Sequence, residues 1–336
     1  MADQRIKFYQ TGTFTVGNRL LDEEQRTVQA RIERTNSLDS GHRACQGCGE
    51  ALGARYAIDA AMRASNNRLV AVNATGCLEV FSSPSPESSW KIPWLHSVFG
   101  NAPAVAAGVA AAFEAKGRSD VRVVAQGGDG GTVDIGFGCL SGLFERNDDV
   151  LYLCYDNEAY MNTGVQRSGS TPPAARTMTT PAVGPRPGNP FGTGKNLPRI
   201  AMAHNIPYVA TASVADLHDL EAKVAKATTI RGARYVHIFV PCPLGWAHDP
   251  ALTITIARLA IESGLYPLFE AEHGRVVDRT TIRRQVPVEH YLKPQGRFKH
   301  LFGDPPDRET IDAIQAIADD NIATYDLLPS GVEHGR

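Results

Sequence analysis

The chain has 336 residues, 43% hydrophobic and 21% charged, with a formal net charge of -2, enough for one large α/β domain or two small ones. It has no global positive field to hold a nucleic-acid backbone or an anionic membrane, and its evenly spread apolar residues exclude a disordered chain. The longest apolar stretch, Ala102 to Phe113, falls far short of the ~20 residues of a membrane span, and Met1 to Gln10 lacks the layout of a secretory signal, so a cytoplasmic protein is expected.

Residues 1–40 are polar and weakly periodic and read as an N-terminal arm. A helix is predicted over Glu50 to Arg63, a strand over Arg68 to Asn73, a helix over Ala102 to Lys116 and a strand over Val121 to Ala125. The alternation continues with a helix over Ile135 to Arg146 and a strand over Val150 to Tyr155. Beyond a loop rich in Pro, Gly, Thr and Ser (Ser168 to Lys195) come a strand over Tyr208 to Thr211, a helix over Val214 to Thr228 and a strand over Tyr235 to Val240. Such alternation implies βαβ units, and the fold class is therefore α/β, a doubly wound parallel sheet over 41–249. Residues 250–336 read as a C-terminal helical arm, with helices over Ala251 to Glu262 and Arg308 to Thr324. Both arms are expected to pack on a partner.

The strongest local signal is Gly127-Gly128-Asp129-Gly130-Gly131, directly after a predicted strand, with Asp156-Asn157 ending the next one. In a doubly wound sheet ligands bind at the carboxyl ends of strands, where these two tips are neighbours. Glycines let backbone N–H groups approach a phosphate, and a carboxylate with an amide oxygen suits Mg²⁺. A metal diphosphate fits this pair of tips. The plain alternative is a Gly-rich turn with a solvated Asp.

The second signal is Cys45-Gln46-Gly47-Cys48, with Cys77 in Ala74-Thr75-Gly76-Cys77 and Cys242 in Pro241-Cys242-Pro243. Each lies in a Gly- or Pro-rich turn or at a strand end. Four thiolates suit a zinc ion or a [4Fe–4S] cluster equally well, and spacing does not choose between them. Cys139 and Cys154 fall in apolar runs and read as core residues. His42, His96, His204 and His237 read as ordinary surface or core histidines, His237 being the least suited to act as a base because it lies inside a strand. Arg167 needs no special role, though it is placed to pair with a carboxylate.

These residues together resemble a known family. Arg43 to Glu50, Ala74 to Cys77, Gly128-Asp129-Gly130 with Asp134-Ile135-Gly136, Asn157 to Gly164 and Pro241 to Trp246 are similar to the β subunit of 2-oxoacid:ferredoxin oxidoreductases, the pyruvate synthase group. Pro287 to Lys293 and Gln295-Gly296-Arg297-Phe298 resemble that family's C-terminal segment. The resemblance implies a thiamine diphosphate subunit, with Cys45, Cys48, Cys77 and Cys242 on a [4Fe–4S] cluster. It implies Mg²⁺ held by Asp129, Asn157 and the Ala159 carbonyl, with Gly128, Gly130 and Gly131 against the diphosphate. Glu50 and the Gly76-Cys77 turn would line the cofactor, and Asn162 would reach the reacting carbon or substrate, which makes it the catalytic candidate. Many relatives carry Thr at Asn157, which keeps an oxygen ligand.

The implied activity is coenzyme A-dependent oxidative decarboxylation of a 2-oxoacid, with electrons passed singly to the adjacent cluster. Pyruvate is the family's default substrate. An aryl 2-oxoacid such as phenylglyoxylate is the alternative, slightly favoured by a basic set in which only eight of 34 residues are Lys. The family's catalytic Glu opposite the aminopyrimidine comes from a partner α subunit, and the chain has no ferredoxin-type Cys run for onward transfer. Partners of α, γ and δ type are therefore implied, with ferredoxin or an NAD-reducing flavoprotein subunit as acceptor. Two rivals stand beside this reading. A non-redox thiamine decarboxylase or carboligase leaves four thiols without a use, and a zinc-stapled structural subunit leaves the Gly loops without a ligand.

Overall fold

The computed structural model describes residues 36–83, 88–184 and 187–329, so the expected N-terminal arm lies outside the described residues except for positions 36–40. Strands β1 (Leu69–Asn73), β2 (Trp94–His96), β3 (Arg122–Gly128), β4 (Val150–Asp156), β5 (Tyr208–Ser213) and β6 (Arg234–Phe239) run parallel in the order β2-β1-β3-β4-β6-β5. A hairpin of β7 (Phe269–Glu272) and β8 (Arg275–Arg279) continues the sheet antiparallel beyond β5. Helix α1 (Gly49–Ala64) precedes β1, and α2 (Cys77–Ser82), α3 (Ala102–Ala115), α4 (Phe137–Arg146), α5 (Leu197–Ala203) and α6 (Leu217–Thr229) fill the crossovers.

The residues of β4 explain why helices cover both faces. Val-Leu-Tyr-Leu-Cys-Tyr-Asp is buried along its whole length, as expected of a central parallel strand. Because side chains alternate across a strand, Val150, Tyr152 and Cys154 join one apolar layer with Ala106 of α3 and Leu140 and Phe144 of α4. Leu151, Leu153 and Tyr155 join the opposite layer with Ala54 and Ile58 of α1 and Val224 of α6. The sheet is doubly wound. Cys154 is fully buried as expected, whereas Cys139 on α4 is only half-buried.

The C-terminal segment departs from expectation. Residues 250–329 do not form a separate helical arm: they supply β7 and β8 to the sheet, and α8 (Thr253–Glu262), α9 (Val288–Leu292) and α10 (Arg308–Tyr325) bury Ile256, Leu292 and Ile314 in the same layer as α1. The overlooked signal is His273-Gly274, whose φ values of +45° and +74° give two consecutive left-handed residues, the requirement of a tight type I′ hairpin. Among the described residues no helix is long and apolar enough to cross a membrane.

Candidate active site

Four strand ends meet on one side of the sheet: the carboxyl ends of β1, β3, β4 and β6. After β3 the chain enters a π-helical segment, Gly130–Ile135, a geometry often found at functional sites. It leaves the tip free of side chains where space is shortest. A Cβ on Gly130 would stand 2.5 Å from Cε1 of Tyr160, and one on Gly131 3.1 Å from the Phe99 carbonyl oxygen. After β4 the turn Asp156-Asn157-Glu158 carries Glu158 at φ +64°, held by its own N–H, which donates to Asp156 Oδ1 (2.8 Å).

A cavity of about 170 Å³ lies between these tips, walled by Gly76, Gly128, Gly130 and Gly131 on one side and by Asn157, Ala159 and Asn162 on the other. Asp129, Glu50 and Cys77 also face it, as do Thr75, Phe99, Tyr160 and Met161. Asp129 Oδ2 accepts from the Ser168 hydroxyl (2.5 Å) and Asn157 Nδ2 donates to Glu50 Oε2 (3.0 Å). Their other oxygens, Asp129 Oδ1 and Asn157 Oδ1, are buried and have no hydrogen-bond partner. Buried polar atoms are almost always satisfied, so two orphaned oxygens on residues of one cavity could hold a hard cation.

The electrostatics agree. Burial raises the Asp129 carboxyl well above its usual range, and the neighbouring Asp156 adds to the shift. Burial pushes Glu50 up to about 7 against the opposing Asn157 amide, and Glu158 to about 7 against the opposing Arg297 guanidinium. The negative charge gathered here exceeds what Arg297, bound to Glu158 Oε2 at 2.6 Å, can balance.

A second cavity, about 90 Å³, adjoins the first, and Cys45, Cys48, Cys77 and Cys242 all line it. Glu50, Cys77, Asn157 and Asn162 belong to the walls of both cavities. Burial, with Glu50 second, pushes the Cys48 thiol up to about 12 and Cys77 higher still, and burial also raises Cys242. Among the described residues, no group of three His, Cys, Asp or Glu side chains stands at the spacing of a single metal ion. The two cysteine loops are tied together by Gly49 N–H donating to the Pro241 carbonyl (3.2 Å).

The structure therefore brings together every residue singled out in the sequence as a cofactor, metal or catalytic candidate. It also adds partners that motif reading missed. The Pro/Gly-rich segment 168–195, expected as a long loop or lid, is stitched to the site over its described part: besides Ser168, Gly169 N–H donates to Asp134 Oδ2 (2.7 Å) and Lys195 Nζ to Asp134 Oδ1 (2.7 Å). Trp246 Nε1 donates to the Asn157 carbonyl (2.8 Å), and the Arg297 guanidinium stacks 3.7 Å from the Trp246 ring. Trp246 and Arg297 lay within resembling motifs, but nothing local signalled that they meet. His237 is buried away from both cavities, between Asp156 Oδ2 (2.7 Å) and the Tyr235 hydroxyl (2.5 Å). Arg167 stacks over Phe191 at 4.6 Å.

Residues 74–238 match the family described as thiamine pyrophosphate enzyme, C-terminal TPP binding domain. The pyruvate synthase subunit PorB of Methanosarcina barkeri is 51% identical over 291 residues, spanning 86% of this chain and 97% of that one. The chain belongs to the β subunits of the 2-oxoacid:ferredoxin oxidoreductases. Within this family the ketoisovalerate oxidoreductase subunit VorB of Pyrococcus abyssi is 42% identical over 283 residues, 82% of this chain and 88% of that one. A solved 2-oxoglutarate:ferredoxin oxidoreductase from Magnetococcus marinus superposes with a TM-score of 0.50 at 26% identity, over 68% of this chain and 82% of that chain. That structure contains 2-oxoglutarate, coenzyme A and succinyl-CoA. The family thus accounts for a thiamine pyrophosphate-binding domain that spans the glycine-walled cavity's β3 and β4 tips.

Proposed function

We propose that this chain is the thiamine diphosphate and [4Fe–4S] subunit of a multi-subunit, cytoplasmic 2-oxoacid oxidoreductase that converts pyruvate and coenzyme A to acetyl-CoA and CO₂. The observation that carries the reading is the shared wall: Glu50, Cys77, Asn157 and Asn162 face both the glycine-walled cavity and the cavity among four thiols. Thiamine diphosphate, when bound, supplies the carbanion chemistry that decarboxylates a 2-oxoacid and leaves a reductant. Asp129 Oδ1, Asn157 Oδ1 and the Ala159 carbonyl would hold Mg²⁺, and the side-chain-free tip at Gly128, Gly130 and Gly131 would let the backbone approach the diphosphate. Gly76 and Glu50 would line the cofactor, while Asn162 would hold the substrate over the reacting carbon. Cys45, Cys48, Cys77 and Cys242 would ligate the cluster, one wall away from the source of electrons.

A cluster is favoured over zinc because the four thiols share a wall with the glycine-lined cavity, where an electron acceptor has a use and a structural zinc has none. Pyruvate is supported over an aryl acid by the pyruvate synthase relative at 51% identity. The remaining chemistry, the aminopyrimidine-activating Glu and the onward electron carriers, would come from α, γ and δ-type subunits, ending on ferredoxin or an NAD-reducing flavoprotein.

The decisive experiment is anaerobic purification with the native partners, followed by iron and zinc analysis, an absorption spectrum and bleaching by pyruvate or phenylglyoxylate with coenzyme A. Iron at cluster stoichiometry in this chain, lost in Cys77→Ser, with bleaching by pyruvate, is the expected result. Bleaching by phenylglyoxylate alone would move the substrate to the aryl class. Zinc without iron would end the redox reading.

A further inference from the structure

Asn157 is gripped from two sides by the segments that carry the thiols. On one side Cys48 caps α1, its Sγ accepting from Ala51 N–H at 3.4 Å, and the first turn of that helix presents Glu50, whose Oε2 accepts from Asn157 Nδ2 at 3.0 Å. On the other, Cys242 caps the short helix α7 (Pro243–Trp246), its Sγ accepting from Gly245 N–H at 3.4 Å. The last residue of that helix, fully buried Trp246, donates its indole N–H to the Asn157 carbonyl at 2.8 Å. Trp246 is itself locked from behind by Arg297, 3.7 Å from its ring and bonded to Glu158, the residue after Asn157. Whatever fixes the sulfurs of Cys48 and Cys242 also fixes both arms of the grip.

We propose that filling the thiol cavity strengthens metal–diphosphate binding at Asn157, through Glu50 on one arm and Trp246 on the other. This rests on the functional reading above and deepens it, because the two cofactors become energetically linked and not merely adjacent. Without the cluster, the sulfurs of Cys48 and Cys242 are held by N–H···S bonds alone, and the direction of the orphaned Asn157 Oδ1 is held less firmly. With it, that oxygen is aimed before the metal arrives, and less of the binding free energy goes into ordering it. Linkage makes the effect reciprocal: bound diphosphate must stabilise the cluster in turn.

The test uses the assembled native complex. Affinity for thiamine diphosphate with Mg²⁺ is measured by titration calorimetry before and after anaerobic removal of the cluster with an iron chelator, and iron loss to that chelator is timed with and without saturating cofactor. The expected results are at least a tenfold loss of affinity on removing the cluster and at least a threefold slowing of iron loss by the cofactor. In Trp246→Phe, which keeps a ring but lacks the indole N–H, and in Glu50→Ala, which leaves Asn157 Nδ2 without its acceptor, the ratio of affinities with and without cluster should fall below threefold. An unchanged wild-type affinity after cluster removal overturns the coupling alone. A wild-type complex with no iron, or with no affinity for the cofactor, overturns the functional reading and the coupling with it. Should either variant fail to assemble, the two wild-type measurements decide.

Discussion

The two ends of strands β3, β4 and β6 treat buried charge in opposite ways. At the amino ends, Asp149 sits just before β4 among three arginines: fully buried Arg234, Arg122 at 3.5 Å and Arg231 at 2.7 Å. Arg234 also donates to the carbonyls of Ala227 (3.0 Å) and Gly232, so the cluster knots the strand starts together. At the carboxyl ends the balance is reversed. Asp129 and Asp156 are buried, Glu50 stands behind them, and two oxygens have no partner. The same strands thus end, on one side, in an ion network finished but for Arg234 Nη2, which has no partner, and on the other in one that leaves the Asp129 and Asn157 oxygens unpaired. A network that the fold largely completes with its own side chains serves stability, and one left short of cations is a candidate to take a cation up.

The sharpest way to break this contrast is to remove the charge at the unfinished end. Asp129→Asn should lower affinity for Mg²⁺ and thiamine diphosphate on the order of a hundredfold or more, because a neutral amide replaces the one carboxylate facing the orphaned Asn157 oxygen. Titration calorimetry of the purified complex reads it. Because burial raises the Asp129 carboxyl, the substitution should not lower thermal stability of the cofactor-free complex, and a large drop in melting temperature would contradict the contrast.

The finished end should respond in the other currency. Asp149→Asn leaves buried Arg234 without its counter-charge and should cost about 2 kcal/mol in a denaturant titration, discounted from the fully buried case because Asp149 is 34% exposed. Burial alone would raise this carboxyl, but Arg234, Arg231 and Arg122 outweigh it and hold the carboxyl below 3.8. A carboxyl whose folded pKa is depressed stabilises fully above its unfolded value, and that stability is lost as pH falls through the folded one. Stability should therefore decline below about pH 4, and the variant should show a shallower acid limb.

The smallest effect belongs to the strap. Ser168→Ala removes the donor that orients Asp129 Oδ2 and should weaken metal affinity roughly tenfold, the usual scale for a group behind a ligand. Cofactor-free stability should fall by about 1 kcal/mol, the usual cost of one lost buried hydrogen bond. An unchanged affinity would mean that Asp129 is aimed by its backbone alone.

How far these sites were legible in advance depended on where the information lay. β3 and β4 were readable because a fully buried parallel strand is a continuous run of apolar residues. The diphosphate tip was readable because Gly-Asp-Gly after such a run has few structural uses, and the sheet rule placed Asn157 beside it. The hairpin β7–β8 escaped because β8 is exposed along its whole length, so that burial imprints no alternation on it. Ser168 escaped because it is one of many hydroxyls in a polar segment, and only its position 39 residues from Asp129 in sequence and 2.5 Å away in space distinguishes it.

By itself the sequence determined the α/β class, the two neighbouring tips that bear the glycines and the asparagine, and the four cysteines worth watching. All of these are written in neighbouring residues, through hydrophobic runs, turn glycines and short spacings. Only the tertiary structure decided that the four thiols line one cavity, that this cavity shares a wall with the glycine-lined one, and that the C-terminal segment belongs to the sheet. It also joined Trp246 to Asn157 and Arg297 to Glu158. Those pairings join residues 89 and 139 positions apart, and separation of that order is settled by strand order and helix packing, which no local pattern encodes.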